Sequence, residues 1–158
     1  MKTNIRKATI SDSAFILDMI RDLAIYEKAE DQVKISLDQL KEDGFGDQPL
    51  YDSIILELEG RAVGMALYYN RYSTWKGKSL YLEDLYVLPE FRGHGLGLKT
   101  MKYLANIAVE TNCYRFEWQV LDWNVPSIEF YKKLGTDLDG EWINCRLEGS
   151  AIKDLALK

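Results

Sequence analysis

A single histidine, His94, and two cysteines, Cys113 and Cys145, are all the imidazole and thiol that the 158 residues offer a zinc site or a disulfide framework. The three have no metal-ligand spacing, so no metal site is expected and both thiols read as buried. No apolar run is long enough to span a bilayer, and the N-terminus MKTNIRKATISDS lacks the apolar core of a signal peptide. No membrane partner and a cytoplasmic location are the expectation. Basic excess is also missing. Twenty Lys and Arg face 25 Asp and Glu, a formal net charge of −5, which argues against a nucleic-acid partner held through phosphates. A cationic ligand fits that balance better. Internal repeats, low-complexity tracts and linkers are absent, and the length suits one domain, residues 1–158, with room for a proper core.

What is there reads as alternating short strands and helices. Ile5 to Ala8 is a strand, and Ser11 or Asp12 caps a helix whose apolar positions Phe15, Ile16, Met19, Ile20, Leu23 and Ala24 recur at helical spacing. Its polar end, Tyr26 to Asp31, reads on pattern as a solvated terminus. Ser36 to Gln39 has the form of a capping box and opens a second helix, closed by Gly44 and Gly46, with Phe45 as an apolar plug. Tyr51 to Leu58 and Ala62 to Tyr72 are strand-like and joined by the tight turn Glu59-Gly60-Arg61. A third strand, Tyr81 to Val87, completes the meander. Then follow a helix from Leu96 to Glu110, a strand from Tyr114 to Leu121, a helix from Ser127 to Leu134 stopped by Gly135, a strand from Gly140 to Leu147 and a short helix from Ser150 to Leu157. The order βααβββαβαβ predicts an α+β domain, a mixed sheet flanked by helices.

Two features of the third strand and its sequel stand out. Glu83 and Asp84 sit in the middle of a strand that should be apolar if buried. Strand alternation assigns them to opposite faces, Glu83 as the carboxylate available for chemistry and Asp84 as structural. The strand then runs into Arg92-Gly93-His94-Gly95-Leu96-Gly97, directly before a helix. Glycines allow close approach of a ligand, and the free N–H groups and dipole of a helix start attract anions, so the segment suits a pyrophosphate. A plain tight turn is the competing reading. Neither GxGxxG nor the Walker pattern fits, because the third glycine comes one residue early and Leu98 stands where a glycine should precede Lys99-Thr100.

The pattern V-x-P-x-x-R-G-x-G-x-G, present from Val87 to Gly97, resembles the acetyl-CoA loop of the GNAT superfamily of N-acetyltransferases, whose fold has the same element order. The resemblance implies that acetyl-CoA is the cosubstrate, with its pyrophosphate on the amides of Arg92, Gly93, His94, Gly95, Leu96, Gly97 and Leu98. It implies further that the pantetheine arm lies along Leu85, Tyr86 and Val87, where two strands splay. The segment Trp123-Asn124-x-Pro126-Ser127-x-x-Phe130-Tyr131 is similar to the second motif of that superfamily, in which Asn124, Val125, Pro126 and Ser127 contact the cofactor and Tyr131 lies beside the sulfur.

Longer segments, Asp31 to Ser36, Asp43 to Asp47, Tyr72 to Gly77, Tyr81 to Asp84 and Val120 to Asn124, resemble the diamine acetyltransferases, meaning the spermidine/spermine N1-acetyltransferases, and among them the branch that acts on thialysine and lysine-like amines. Tyr26, Glu27, Glu83, Glu117, Trp118 and Gln119 correspond to substrate-contacting positions, and the family is homodimeric. An alkylammonium has a pKa near 10.4 and must lose a proton before it attacks a thioester, whereas a thiolate of pKa about 8.5 must gain one to leave. Glu83 as a water-mediated base and Tyr131 as the acid are the expected catalytic pair. The alternatives are a protein lysine or N-terminal acetyltransferase and a non-catalytic acyl-CoA-binding module.

Overall fold

The computed structural model describes all of residues 1–158, and contacts divide the chain into two compact units, Met1–Gln119 and Val120–Lys158. The first begins with β1 (Thr3–Lys7), followed by a 3-10 turn, Ile10–Asp12, and α1 (Ser13–Tyr26). Asp12 stands at the N-cap of α1, as expected, but its side chain bonds no amide of that helix. Its carboxylate accepts the Thr9 N–H at 2.7 Å and so closes the turn in front of the helix. In α2 (Leu37–Phe45) only half of the expected capping box forms: the Ser36 hydroxyl oxygen accepts the Gln39 N–H at 3.1 Å, while the Gln39 amide donates to Asp43 instead. Gly44 lies inside α2 and does not end it. Its missing Cβ leaves room for the Tyr51 ring, whose hydroxyl donates to the Leu40 carbonyl at 2.6 Å.

The sheet has the order β1-β2-β3-β4-β5, with β2 (Asp52–Leu58), β3 (Arg61–Ser73), β4 (Gly77–Val87) and β5 (Arg115–Trp118). The first three junctions are antiparallel and the last is parallel, across α3 (Leu96–Glu110). The hairpin between β2 and β3 turns on Glu59 and Gly60 with φ of 51° and 78°, the left-handed pair that a two-residue turn requires. Ile16, Leu17 and Met19 of α1 and Leu40 of α2 pack on Ile55, Met65, Leu67 and Tyr86 of one sheet face. The other face carries Tyr68, close enough to Tyr103 of α3 for the two phenols to interact electrostatically. Leu96, Met101, Leu104 and Ala108 are the buried stripe of α3.

Two strands differ from expectation. The β-prone run from Tyr114 to Leu121 pairs only over Arg115–Trp118. In the second unit, α4 (Val125–Lys133) and α5 (Ser150–Ala156) form as read, but residues 140–147 form no strand. Alternation says which side chains share a face; a strand also needs an edge to pair with, and Trp142 and Ile143 stand exposed there.

Candidate functional site

The site begins with an irregularity in the ladder between β3 and β4. Leu67 pairs with Asp84 and Tyr68 with Leu82, so Glu83 is an extra residue, a bulge. A bulge interrupts the period of two and re-aims side chains. Tyr69 packs against the cluster on the α1 face, and its hydroxyl donates to Glu83 Oε2 at 2.7 Å. Asp84 also serves the α1 side, because it lines a cavity with residues of that helix. The expectation that Glu83 and Asp84 serve opposite faces is therefore wrong, and its cause is the bulge.

That cavity, about 430 Å³, is walled by Ile20, Leu23, Ala24 and Glu27 near the end of α1, by Ala29, Gln32, Val33, Lys34 and Ile35 of the following segment, and by Asp84 of β4. Its size suits a small molecule. Asp84 is half-buried, and burial first, then the charges of Glu83 and Glu27, push its carboxyl up to about 7. Burial raises Glu27 as well. These groups lack a cation of their own, for no salt bridge engages Glu27, Glu83 or Asp84. An apolar-walled cavity with unpaid carboxylates is arranged to receive an alkylammonium. Sequence reading found Glu27 through its resemblance and left Asp84 as structural. The signal that would have found it is the pair of adjacent carboxylates inside a strand.

Beyond the bulge, β4 continues to Val87 while its pairing with β5 stops at Leu82 and Trp118. Leu85, Tyr86 and Val87 pair only with β3, opposite Ala66, Met65 and Gly64. Their other edge has backbone groups that β5 does not satisfy, the opening that an extended, amide-bearing ligand requires. Gly64 keeps this stretch close to β3: a Cβ there would stand 2.5 Å from the Tyr86 carbonyl oxygen.

The glycine loop comes next. Gly93 and Gly95 have φ of 80° and 75°, and a Cβ on either would meet no atom of the chain within 4 Å. Their constraint is conformational, and the surface before α3 is open. The Gly95 carbonyl accepts the Lys99 N–H at 3.0 Å, while the amides of the first turn have no carbonyl within the helix to bond. The His94 Nδ1–H donates to the Phe91 carbonyl at 3.1 Å. The residues present fit a pyrophosphate. Arg92 ties the loop to the rest: its Nε–H donates to the Val87 carbonyl at 2.9 Å, and its guanidinium lies 5.4 Å from the rings of both Tyr26 and Tyr86. Tyr26, Arg92 and Tyr86 thus come together.

The remaining expected residues are placed as follows. On β5, Glu117 is held by Arg115 at 2.9 Å and opposes Tyr81, and the Trp118 ring lies tilted against that of Phe116 at 4.8 Å between centroids. Gln119 ends the first unit. Within the second unit, Asn124 is buried and its side-chain oxygen accepts the Ser127 N–H, with Val125 and Pro126 opening α4. Tyr131, on the same helix, is half-buried with its ring 5.3 Å from that of Phe130.

Comparison with known proteins gives the family. Residues 16–136 match the model of the acetyltransferase (GNAT) family. Over 98% of its length the chain is 45% identical to a thialysine N-epsilon-acetyltransferase of Sus scrofa, of which 97% is covered. It is 37% identical over 96% of its length to the human spermidine/spermine N(1)-acetyltransferase-like protein 1, a longer protein of which 23% is covered. In the solved structures it is similar to an integron cassette protein from V. cholerae, with a TM-score of 0.81 and 26% identity over 100% of this chain and 99% of that one. The chain belongs to the acetyltransferase (GNAT) family and is an N-acetyltransferase.

Proposed function

We propose that the protein transfers the acetyl group of acetyl-CoA to the primary amine of a small, lysine-like cationic acceptor, by direct attack in a ternary complex. One observation carries the reading: the cavity holding Glu27 and Asp84 adjoins a bulged strand whose far half, free of β5, leads into an open glycine loop before a helix. The thialysine enzymes among its relatives favour the same acceptor class.

Bound acetyl-CoA supplies a thioester carbon for attack. The amides of Gly93 to Leu98 and the start of α3 would hold its pyrophosphate, and the edge of Leu85 to Val87 that β5 leaves unpaired would orient the pantetheine arm; Asn124 and Ser127 keep the cofactor-contacting role that the second family motif gives them. Asp84 and Glu27 bind the acceptor ammonium, which keeps both carboxylates charged. Glu83, steadied by the Tyr69 hydroxyl, takes one ammonium proton through water. The freed nitrogen pair forms the C–N bond, the C–S bond breaks, and Tyr131 gives the departing sulfur its proton. Tyr131 then recovers a proton from the nitrogen by way of water, so that each turnover yields an amide, a thiol and one proton. Tyr26 and the Glu117 to Gln119 strand end complete the acceptor side, in a homodimer.

The test is release of free thiol from acetyl-CoA with thialysine, lysine, spermidine and diaminopropane offered separately. Thialysine turnover above spermidine is expected. Tyr131→Phe should lower kcat by roughly 10²- to 10⁴-fold with acetyl-CoA affinity kept, and Glu83→Gln should also act on kcat. Unchanged kcat removes either residue from its role, and no turnover with any amine removes the small-amine reading.

A further inference from the structure

The acceptor cavity is not uniformly acidic. Beside Glu27 and Asp84 its wall includes Lys34, on the segment between α1 and α2, and none of the chain's ion pairs engages that lysine. A polyamine carries only ammonium groups. In a cavity built for it alone, an added lysine weakens binding by like-charge repulsion and gains nothing in return. A lysine-like amino acid carries ammonium groups and one carboxylate, separated by an apolar spacer. That charge pattern is mirrored by the wall: two carboxylates, one ammonium, and the aliphatic Leu23, Val33 and Ile35 for the spacer.

Building on the acceptor class proposed above, we infer that Lys34 is a specificity-determining residue, receiving the α-carboxylate of an amino-acid acceptor and repelling acceptors made only of ammonium groups. Discrimination of this kind uses an attractive contact toward one ligand and a repulsive one toward its competitor. A single side chain supplies both here. Lys34 is exposed and engaged in no ion pair, so its replacement removes no buried charge partner.

The experiment compares thialysine with its decarboxylated counterpart, 2-(2-aminoethylthio)ethylamine, and with spermidine, using the unaltered chain, Lys34→Met and Lys34→Glu. The unaltered chain should favour thialysine over the decarboxylated amine by about tenfold in kcat/KM, the size of one charge-assisted contact. Lys34→Met should bring that ratio to about one through KM, with kcat and the KM for acetyl-CoA unmoved. Lys34→Glu should reverse the preference and raise the use of spermidine. A ratio that stays the same in both variants, while the unaltered chain acetylates both amines, overturns the inference and leaves the proposed function standing. Absence of turnover with every amine overturns the proposed function, and the inference with it.

Discussion

Two clusters of carboxylates lie within the first unit, and their acids are displaced in opposite directions. At the junction of β1 and α1, Arg6 reaches Asp12 with both terminal nitrogens, at 2.8 and 2.9 Å, and Glu57 with Nε at 2.7 Å. The Arg6 hydrogen bonds hold Asp12 down at about 2, and those from Asn4 and Arg6 hold Glu57 below the usual carboxylate range. At the far end of α1, burial and the neighbouring charges of Glu83 and Glu27 push Asp84 up to about 7. The contrast is one of compensation. A carboxylate matched by a cation of its own chain serves the fold, whereas one left unmatched in an apolar wall stores a cost that an incoming cation relieves.

Replacing Asp84 by Asn tests the second half of this contrast and carries the largest expected effect. Losing the charge that meets the acceptor should lower kcat/KM by roughly 10²-fold, mainly through KM. Stability should change the other way. The native carboxyl titrates near 7 and the unfolded one near 3.8, so between these values the native state binds more protons and stability falls as pH rises. Above pH 7 the full cost is present, at most about 4 kcal/mol. Asp84→Asn should therefore melt higher than the parent at pH 8 and match it near pH 4. A variant that melts lower at pH 8 would show that Asp84 is structural after all.

Arg6→Met probes the matched cluster, with a smaller effect of opposite kind. Asp12 and Glu57 lose their partner, and melting should drop by about 4 °C at pH 7, roughly 1–2 kcal/mol for a half-exposed arginine, with kcat/KM unchanged. Asp12 has its folded value below its unfolded one, so its contribution is complete above about pH 4 and is lost as pH falls toward 2. The parent should lose stability across that acid window and the variant should lose less. Equal acid sensitivity in both would mean that Arg6 does not set the Asp12 titration.

How much of this was legible in the sequence depends on how local each feature is. The turn at Glu59-Gly60, the Ser36 cap and the loop from Arg92 to Gly97 depend on neighbours a few residues away, and all were readable. The bulge at Glu83 was not, because it is a property of two paired strands, and strand alternation misassigned Asp84 as a result. The Arg6 cluster joins residues 51 apart in the chain and left no local trace. Pairing also decided the rest: the run from Tyr114 kept four ladder residues, and 140–147 found no edge.

Glu27→Gln gives the smallest and most selective test. Glu27 stands behind burial and Glu83 among the influences on Asp84, so its removal should relieve Asp84 only partly. For an acceptor bound by ionised Asp84, kcat/KM should rise with pH and level off near 7, because the free enzyme sets that limb. In the variant the limb should move to lower pH by a few tenths of a unit, the scale of one screened charge in a half-open cavity. The acid-window stability governed by Asp12 should not move, since Glu27 is absent from the groups acting on it. A limb that stays in place would mean that Glu27 is uncharged or uncoupled from Asp84 when the acceptor binds, and one that moves upward would contradict a repulsive coupling between the two.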